Sequence, residues 1–373
     1  MPNICIISPF AYSAMVGNTS GHIGGVETQT ALLAKWLTEN TDHNISIVTW
    51  NESSSDDEYI NGVRVIKLCK RSDGIPLIKF FHPRWTSLIK ALKRADADVY
   101  YQNCAEYVTG QVALWCRINR RKFIYSVASD PDCDPNLPTL HTYRERLLYK
   151  YGLTHSDAII TQTSIQQSML RTGFSLNSHV LPMPISPPPT SLSHSGHMHD
   201  GEFRVIWVGR IASVKRAEVL LEIAASAPDI IFEIAGGEDQ EHDYYQNFLS
   251  QAKQLKNVVL HGKLDRDRLN KRYQHASVLC NTSIHEGFPN TFIEAWSHGI
   301  PVVSTINPDN LISTQELGII ANSTTEFVRV LAKLKTDKDL WNKLSSNAKR
   351  YYLENHSIDI AMRRFLQIFE STL

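Results

Sequence analysis

Short apolar runs recur along the chain, separated by longer stretches of mixed polarity. The first set is Ile4–Ile7, Ile45–Thr49, Val63–Leu68, Val99–Tyr101, Phe123–Val127, Ala158–Ile160 and Val180–Leu181. The second is Arg204–Val208, Ile231–Ala235, Val258–Leu260, Val278–Cys280 and Val302–Ser304. Intervening stretches such as Thr28–Leu37 carry amphipathic helical patterning. Buried strands alternating with amphipathic helices predict βα units on parallel sheets. No repeat of solenoid period is present. Between the two sets runs Pro182-Met183-Pro184-Ile185-Ser186-Pro187-Pro188-Pro189, followed by a polar stretch to Gly201. So many prolines fit neither a helix nor an inner strand, so the segment predicts an interdomain linker. The expected domains are residues 1–185 with a C-terminal helix 356–373, and residues 200–355. Leu340–Phe369 is helical by pattern, with a break at Asn355-His356-Ser357 and its last part expected to pack on the first domain.

A chain of 373 residues suits two domains better than one core. Lys plus Arg equals Asp plus Glu at 38 each, which argues against a general nucleic-acid binder. The six cysteines are scattered with no CxxC pair, as expected of core residues in a reducing compartment. The N-terminus leads directly into Ile4–Ile7, without the charged region or cleavage site of a signal peptide. No apolar run approaches the ~20 residues needed to span a bilayer. The expected location is cytoplasmic, at the inner face of the cell membrane.

The densest chemical signal is His285-Glu286-Gly287-Phe288-Pro289-Asn290-Thr291-Phe292-Ile293-Glu294-Ala295, leading to Gly299-Ile300-Pro301-Val302-Val303-Ser304. It follows the strand Val278–Cys280 and opens a helix predicted over Thr291–His298. A Gly-Phe-Pro-Asn turn at a helix start leaves backbone N–H groups free for an anion, and the helix dipole adds positive charge. A diphosphate suits that place. Glu286 precedes the turn, where its carboxylate suits sugar hydroxyls. Glu294 lies within the helix, in reach of a ribose diol. Either glutamate alone would read as a solvated charge; the combined spacing does not. Neither is expected to support the core. A second signal is Val208-Gly209-Arg210 with Lys215 five residues on. A guanidinium fork and an ammonium point charge beside a strand-to-helix turn suit a diphosphate leaving group.

These segments resemble the retaining glycosyltransferases of the GT-B fold, specifically glycosyltransferase family 4. The resemblance lies in the two glutamates separated by seven residues, the Gly-x-Pro-Val-Val strand and the Gly-Arg-x5-Lys element. It implies two Rossmann-like α/β domains with a cleft between them. It assigns Glu286 to the transferred sugar and Glu294 to the donor ribose. Gly287, Phe288, Asn290 and Thr291 would hold sugar and phosphate, and Arg210 and Lys215 the diphosphate. Here Arg216 follows the lysine where the family often has glycine. The implied donor is a UDP- or GDP-sugar, with no separate cofactor and no metal.

In the first domain, Gly21-His22-Ile23-Gly24-Gly25-Val26-Glu27 lies between the first strand and Thr28–Leu37. Paired glycines allow close backbone approach, and the resemblance implies that Gly24 and Gly25 reach the donor phosphates. The spacing is not that of a dinucleotide GxGxxG site. Ser129-Asp130-Pro131-Asp132-Cys133-Asp134-Pro135 follows Phe123–Val127. Its three carboxylates read either as a polar turn or as groups for a metal or an acceptor hydroxyl. The family commonly has a histidine just after this strand; here Ala128 or Ser129 fills the position, and Asp130 is the expected substitute. Asp96-Ala97-Asp98 reads as ordinary loop chemistry at a helix-to-strand joint, and His194, His197 and His199 as linker residues rather than chelators. Residues 64–94 hold nine Lys/Arg (64, 67, 70, 71, 79, 84, 90, 93, 94) against one acid, Asp73, with Phe80, Phe81 and Trp85 interleaved. That stretch reads as a solvated basic surface or as one that meets anionic lipid or a lipid-linked acceptor.

The expected function is transfer of a sugar, with retention, to a glycan or lipid-linked saccharide of bacterial surface polysaccharide synthesis. The competing readings are a non-catalytic partner subunit, and a sugar-nucleotide epimerase or phosphorylase on the same architecture.

Overall fold

The computed structural model describes residues 2–17, 24–52, 57–76, 78–185, 196–198, 200–239 and 241–373. The chain divides into two compact units, Met1–Pro184 with Ile358–Leu373, and Ile185–Ser357. Much of the proline-rich segment, 186–195, and the histidines 194 and 199 lie outside the described residues. His197 pairs through Nε2 with the Leu334 carbonyl at 2.6 Å.

The first unit is built on β1 (Asn3–Ile7), β2 (Asn44–Thr49), β3 (Asp57–Ile60), β4 (Val63–Lys67), β5 (Val99–Asn103), β6 (Lys122–Ser126), β7 (Ala158–Thr161) and β8 (His179–Val180). Their order is β3-β4-β2-β1-β5-β6-β7-β8, and every pairing except β3–β4 is parallel. Central strands are buried on both faces, which is why they read as unbroken apolar runs. β3 escaped that reading because it is a polar edge strand, DEYI, with no fully buried residue. Asn61 and Gly62, both at positive φ, make its two-residue hairpin turn.

The second unit holds β9 (Arg204–Val208), β10 (Ile231–Ala235), β11 (Val258–Gly262), β12 (Val278–Asn281), β13 (Val302–Ser304) and β14 (Gly318–Ile320). The order is β11-β10-β9-β12-β13-β14, all parallel. The C-terminal pattern splits into Lys338–Asn355 and Ile358–Thr372. The second of these belongs to the first unit. Its Asp359 Oδ1 accepts the Trp36 indole N–H at 2.9 Å, and its Phe365 and Phe369 rings pack edge-on to Tyr101.

In each sheet the strand order reverses once near the middle, between β1 and β5 and between β9 and β12. Loops leaving the carboxyl ends of such neighbouring strands diverge and open a crevice, the usual ligand position in open α/β sheets. The helix Tyr107–Asn119, which follows β5, is fixed by unusually close packing on Tyr143–Thr154. A methyl on Gly110 would sit 2.1 Å from the Leu148 carbonyl oxygen, and one on Gly152 would sit 2.6 Å from the Thr109 carbonyl carbon. Among the described residues no helix is long and apolar enough to cross a membrane. All six cysteines are free, and burial pushes the Cys5 thiol up to about 12.

Gly152→Ala should therefore destabilise the first unit by about 1–3 kcal/mol, the usual cost of overpacking, because backbone rather than a flexible side chain blocks the new methyl. Calorimetry should show a lower Tm; an unchanged Tm would mean that this helix pair separates freely.

Candidate active site

Two loops meet at the β9/β12 reversal. The first leaves β9 through Gly209 and Arg210 and tightens into a short turn, Ser213–Lys215. The second leaves β12 through Thr282 and Ser283 to Glu286, and the helix Asn290–Ser297 follows with Pro289 at its cap. Thr282 Oγ1 donates to the Lys215 carbonyl at 2.8 Å and accepts from Trp207 Nε1 at 3.2 Å. Arg216 Nε donates to the Thr282 carbonyl at 2.8 Å, and Ile284 N donates to the Val214 carbonyl at 2.9 Å. With the backbones tied together, the Lys215 ammonium and the Glu286 carboxylate form an ion pair, and Ser283 Oγ donates to the same carboxylate oxygen at 2.8 Å. Both side chains are only partly exposed, 19% and 16%. Arg210 reaches out further, with 63% of its side chain exposed, and pairs with Asp239 at 2.6 Å. Gly236 ends β10 against this loop, where a side chain would strike the Gly209 carbonyl oxygen at 2.0 Å.

Gly287, Phe288, Asn290 and Thr291 are half-buried at the start of the helix. The helix starts at Asn290, one residue before the sequence-based expectation. Phe288 packs near the Trp296 and His356 rings, at 6.0 and 5.4 Å. Glu294 is nearly enclosed, at 9% exposure. Tyr273 Oη donates to its Oε2 at 2.8 Å, and Arg266 Nη1 donates to its Oε1. Burial drives the Tyr273 hydroxyl well above its usual range, so it remains a donor. Burial works to lower the Arg266 guanidinium, but the Glu294 carboxylate outweighs it and holds it above its usual value. The expectation that Glu294 does not support the core is corrected: it anchors a fully enclosed tyrosine. Glu286, held at a loop by Lys215 and Ser283, fits that expectation.

In the first unit, the segment 21–23 lies outside the described residues, but Gly24 and Gly25 are placed. They are not a free loop. Gly24 caps the helix Gly25–Asn40, and its N–H donates to Glu27 Oε2 at 3.0 Å. A side chain on Gly24 would sit 2.5 Å from that oxygen. The glycine makes room for an internal carboxylate at the helix start. The three aspartates after β6 also part company. Asp130 Oδ1 accepts from Gln166 Nε2 at 3.0 Å. Asp132 is buried and accepts from the Ala128 and Ser129 N–H groups and the Ser129 hydroxyl. Asp134 Oδ1 accepts from Asn136 N at 2.8 Å. Among the described residues, no three His, Cys, Asp or Glu side chains are grouped as metal ligands. The basic stretch 64–94 is partly neutralised by acids outside it. Asp57 pairs with Arg64 and Arg94, and Glu58 with the buried Lys67. Counting charges along the stretch missed these because β3 supplies them across the hairpin. Asp96 and Asp98 both pair with Arg121, a structural role.

The family model "Glycosyltransferase Family 4" matches residues 23–187, and "Glycosyl transferases group 1" matches residues 193–351. Sucrose-phosphate synthase from Thermosynechococcus elongatus superposes with a TM-score of 0.79 at 17% identity, over 100% of this chain and 99% of that one. Anabaena Alr3699/HepE, solved with UDP and glucose, superposes with a TM-score of 0.76 at 15% identity over the full length of both. The chain belongs to the group 1/family 4 glycosyltransferases, with the GT-B fold. An uncharacterized glycosyltransferase of Haemophilus influenzae is 26% identical over 224 residues, 57% of this chain and 62% of that protein. The chain spans between 32% and 62% of the length of four curated relatives it matches.

Four partners in this family member were not among the sequence candidates: Ser283, Asp239, Arg266 and Tyr273. Arg266 opens the helix Arg266–His275, and Tyr273 lies seven positions on, so the two share a face. That spacing was visible in the sequence, but nothing there linked it to Glu294. Tyr273→Phe should cost about 1.5–3 kcal/mol, the usual worth of a hydrogen bond to a charged group. Thermal unfolding should show the loss, and an unchanged Tm would mean that Arg266 alone satisfies the carboxylate.

Proposed function

We propose that this chain transfers a glycosyl group from a nucleotide-diphosphate sugar, a UDP- or GDP-sugar, to a saccharide acceptor with retention of anomeric configuration. The observation that carries this reading is the Lys215–Glu286 pair at the β9/β12 reversal, beside the helix start at Asn290. An ammonium has three donors, and Lys215 spends one on Glu286, so two are left for phosphate oxygens. Arg210 likewise keeps most of its fork after pairing with Asp239. The N–H groups opening the helix add partial positive charge where the diphosphate leaves. Glu286 supports the donor sugar as positive charge develops at the anomeric carbon, and Glu294 takes the ribose.

In the transfer step the bond from the anomeric carbon to the diphosphate oxygen breaks, and the acceptor oxygen bonds to that carbon on the same face. The acceptor proton passes to the departing diphosphate. Neither a protein nucleophile nor a metal is required in this scheme, and Arg210, Lys215 and the helix start carry the leaving-group charge. In this reading Gly24 and Gly25 are assigned to the donor phosphates and Asp130 to the reacting sugar. The acceptor is a glycan or lipid-linked saccharide of bacterial surface polysaccharide synthesis, met at the inner face of the membrane. Exposed Ile75, Ile78 and Phe81, among Lys70, Arg71 and Lys79, support that contact.

A nucleoside diphosphate at a hundred times its Kd should stabilise the protein by about 2.7 kcal/mol, and Arg210→Ala or Lys215→Ala should weaken this effect. Unchanged melting with UDP, GDP and ADP would remove the donor site. Transfer should survive EDTA; loss restored by Mn²⁺ or Mg²⁺ would reverse the metal-free scheme. Glu286→Gln should lower kcat strongly with little change in nucleotide binding, whereas Glu294→Gln should weaken nucleotide binding itself. Wild-type kcat in Glu286→Gln would overturn the catalytic assignment.

A further inference from the structure

The other strand-order reversal, at β1/β5, also carries a cavity. It lies wholly within the first unit and measures about 250 Å³. Phe10 follows β1, Trp50 follows β2 and Glu106 follows β5, so its walls come from the carboxyl ends of adjacent parallel strands. Drug-sized pockets begin near ~300 Å³, so this one has room for about one sugar ring. Phe10, Trp50 and Tyr107 give it aromatic faces.

Its two guanidinium groups are not ion-paired among the described residues. The Arg71 guanidinium lies 4.9 Å from the Phe10 ring centroid and has no hydrogen-bond or ion-pair partner among the described residues. Arg84 lies 5.8 Å from the Trp50 ring, donates through Nη2 to the Arg71 carbonyl at 3.2 Å, and leaves a buried Nε without an acceptor. Neither carboxylate in the wall forms an ion pair with these cations among the described residues. Glu145 is committed to its own helix: it accepts the Thr142 N–H at 3.0 Å, and this bond holds it below the usual carboxylate range. Glu106 is pushed up to about 7, first by burial and then by the Glu27 carboxylate, although Arg71 pulls it back. A small aromatic-walled cavity with two guanidinium forks, neither of them in an ion pair among the described residues, suits a compact, ring-shaped anion.

We propose that this cavity is the acceptor subsite and that it takes a sugar unit bearing an anionic group, a carboxylate or a phosphoryl ester, bound by Arg71 and Arg84. The word acceptor rests on the glycosyltransferase reading; the anionic class rests on the cavity itself. Neutral sugars would leave Arg71 unpaired and gain only the aromatic contacts.

Calorimetric titration of the full chain tests this with matched probes. These are p-nitrophenyl β-glucuronide against p-nitrophenyl β-glucoside, and glucose 6-phosphate against glucose. At least one anionic probe should bind about tenfold tighter than its neutral congener. The glucuronide and 6-phosphate arms tell carboxylate from phosphoryl. Arg71→Ala, at an exposed side chain with no hydrogen-bond or ion-pair partner among the described residues, should fold normally and erase the preference. Equal binding of the congeners, no binding at millimolar concentration, or a preference that survives Arg71→Ala would overturn the proposal. The Tm shift with UDP or GDP, read in the same samples, reports the donor site separately. Loss of the sugar preference with that shift intact overturns the anionic class alone. An intact preference with no nucleotide shift overturns the acceptor assignment together with the glycosyltransferase reading.

Discussion

The Lys215–Glu286 ion pair is the contact on which the second unit's site depends. It joins two loops that leave adjacent strands in opposite directions, and chain continuity alone would let them diverge. Four supporting bonds, from Thr282, Trp207, Arg216 and Ile284, bring the backbones together first. The charges then meet in a half-buried position, where attraction is stronger than on an open surface. The arrangement is costly to leave half-made. Removing either charge strands the other with reduced hydration. The pair also leaves donors on Lys215 unspent, so the contact that organises the loops need not be broken for phosphate to bind.

The same economy governs Glu294. A carboxylate so enclosed needs partners before any ligand arrives, and Tyr273 and Arg266 supply one to each oxygen. Each carboxylate oxygen can accept more than one hydrogen bond, so a ribose diol can join without displacing them. The carboxylate proposed to take the ribose is thus also a structural group. The two unit centres differ in this respect. Around the β9/β12 reversal Arg210, Lys215 and Arg266 each pair with an internal carboxylate, whereas around the β1/β5 reversal neither Arg71 nor Arg84 forms an ion pair among the described residues.

Several sequence features changed meaning once their spatial partners were known. Gly24, read as approaching the donor phosphates, is also a helix cap cleared of side chain so that Glu27 can turn back. The aspartates after β6, which read either as a polar turn or as groups for a metal or an acceptor hydroxyl, each meet a different partner around a short 3-10 turn. The basic stretch lost part of its charge to the β3 hairpin. In each case a linear count of residue types could not register an interaction closed by a turn or by a neighbouring strand.

Alternating apolar runs established the α/β class and most strands, because strands buried on both faces must be apolar whatever their neighbours. β3 and β14 were missed for the complementary reason: one is a polar edge and the other is three residues long, so burial left too little signal. The motif residues Arg210, Lys215, Glu286 and Glu294 were legible because short loops tie them to strand ends and a helix start. Tertiary structure alone decided who holds them. Ser283 is near Glu286 in sequence, but Lys215 is 71 residues away and Tyr273 is 21 from Glu294. It also decided which charges remain unpaired, since pairing depends on distances that only the folded sheet order sets.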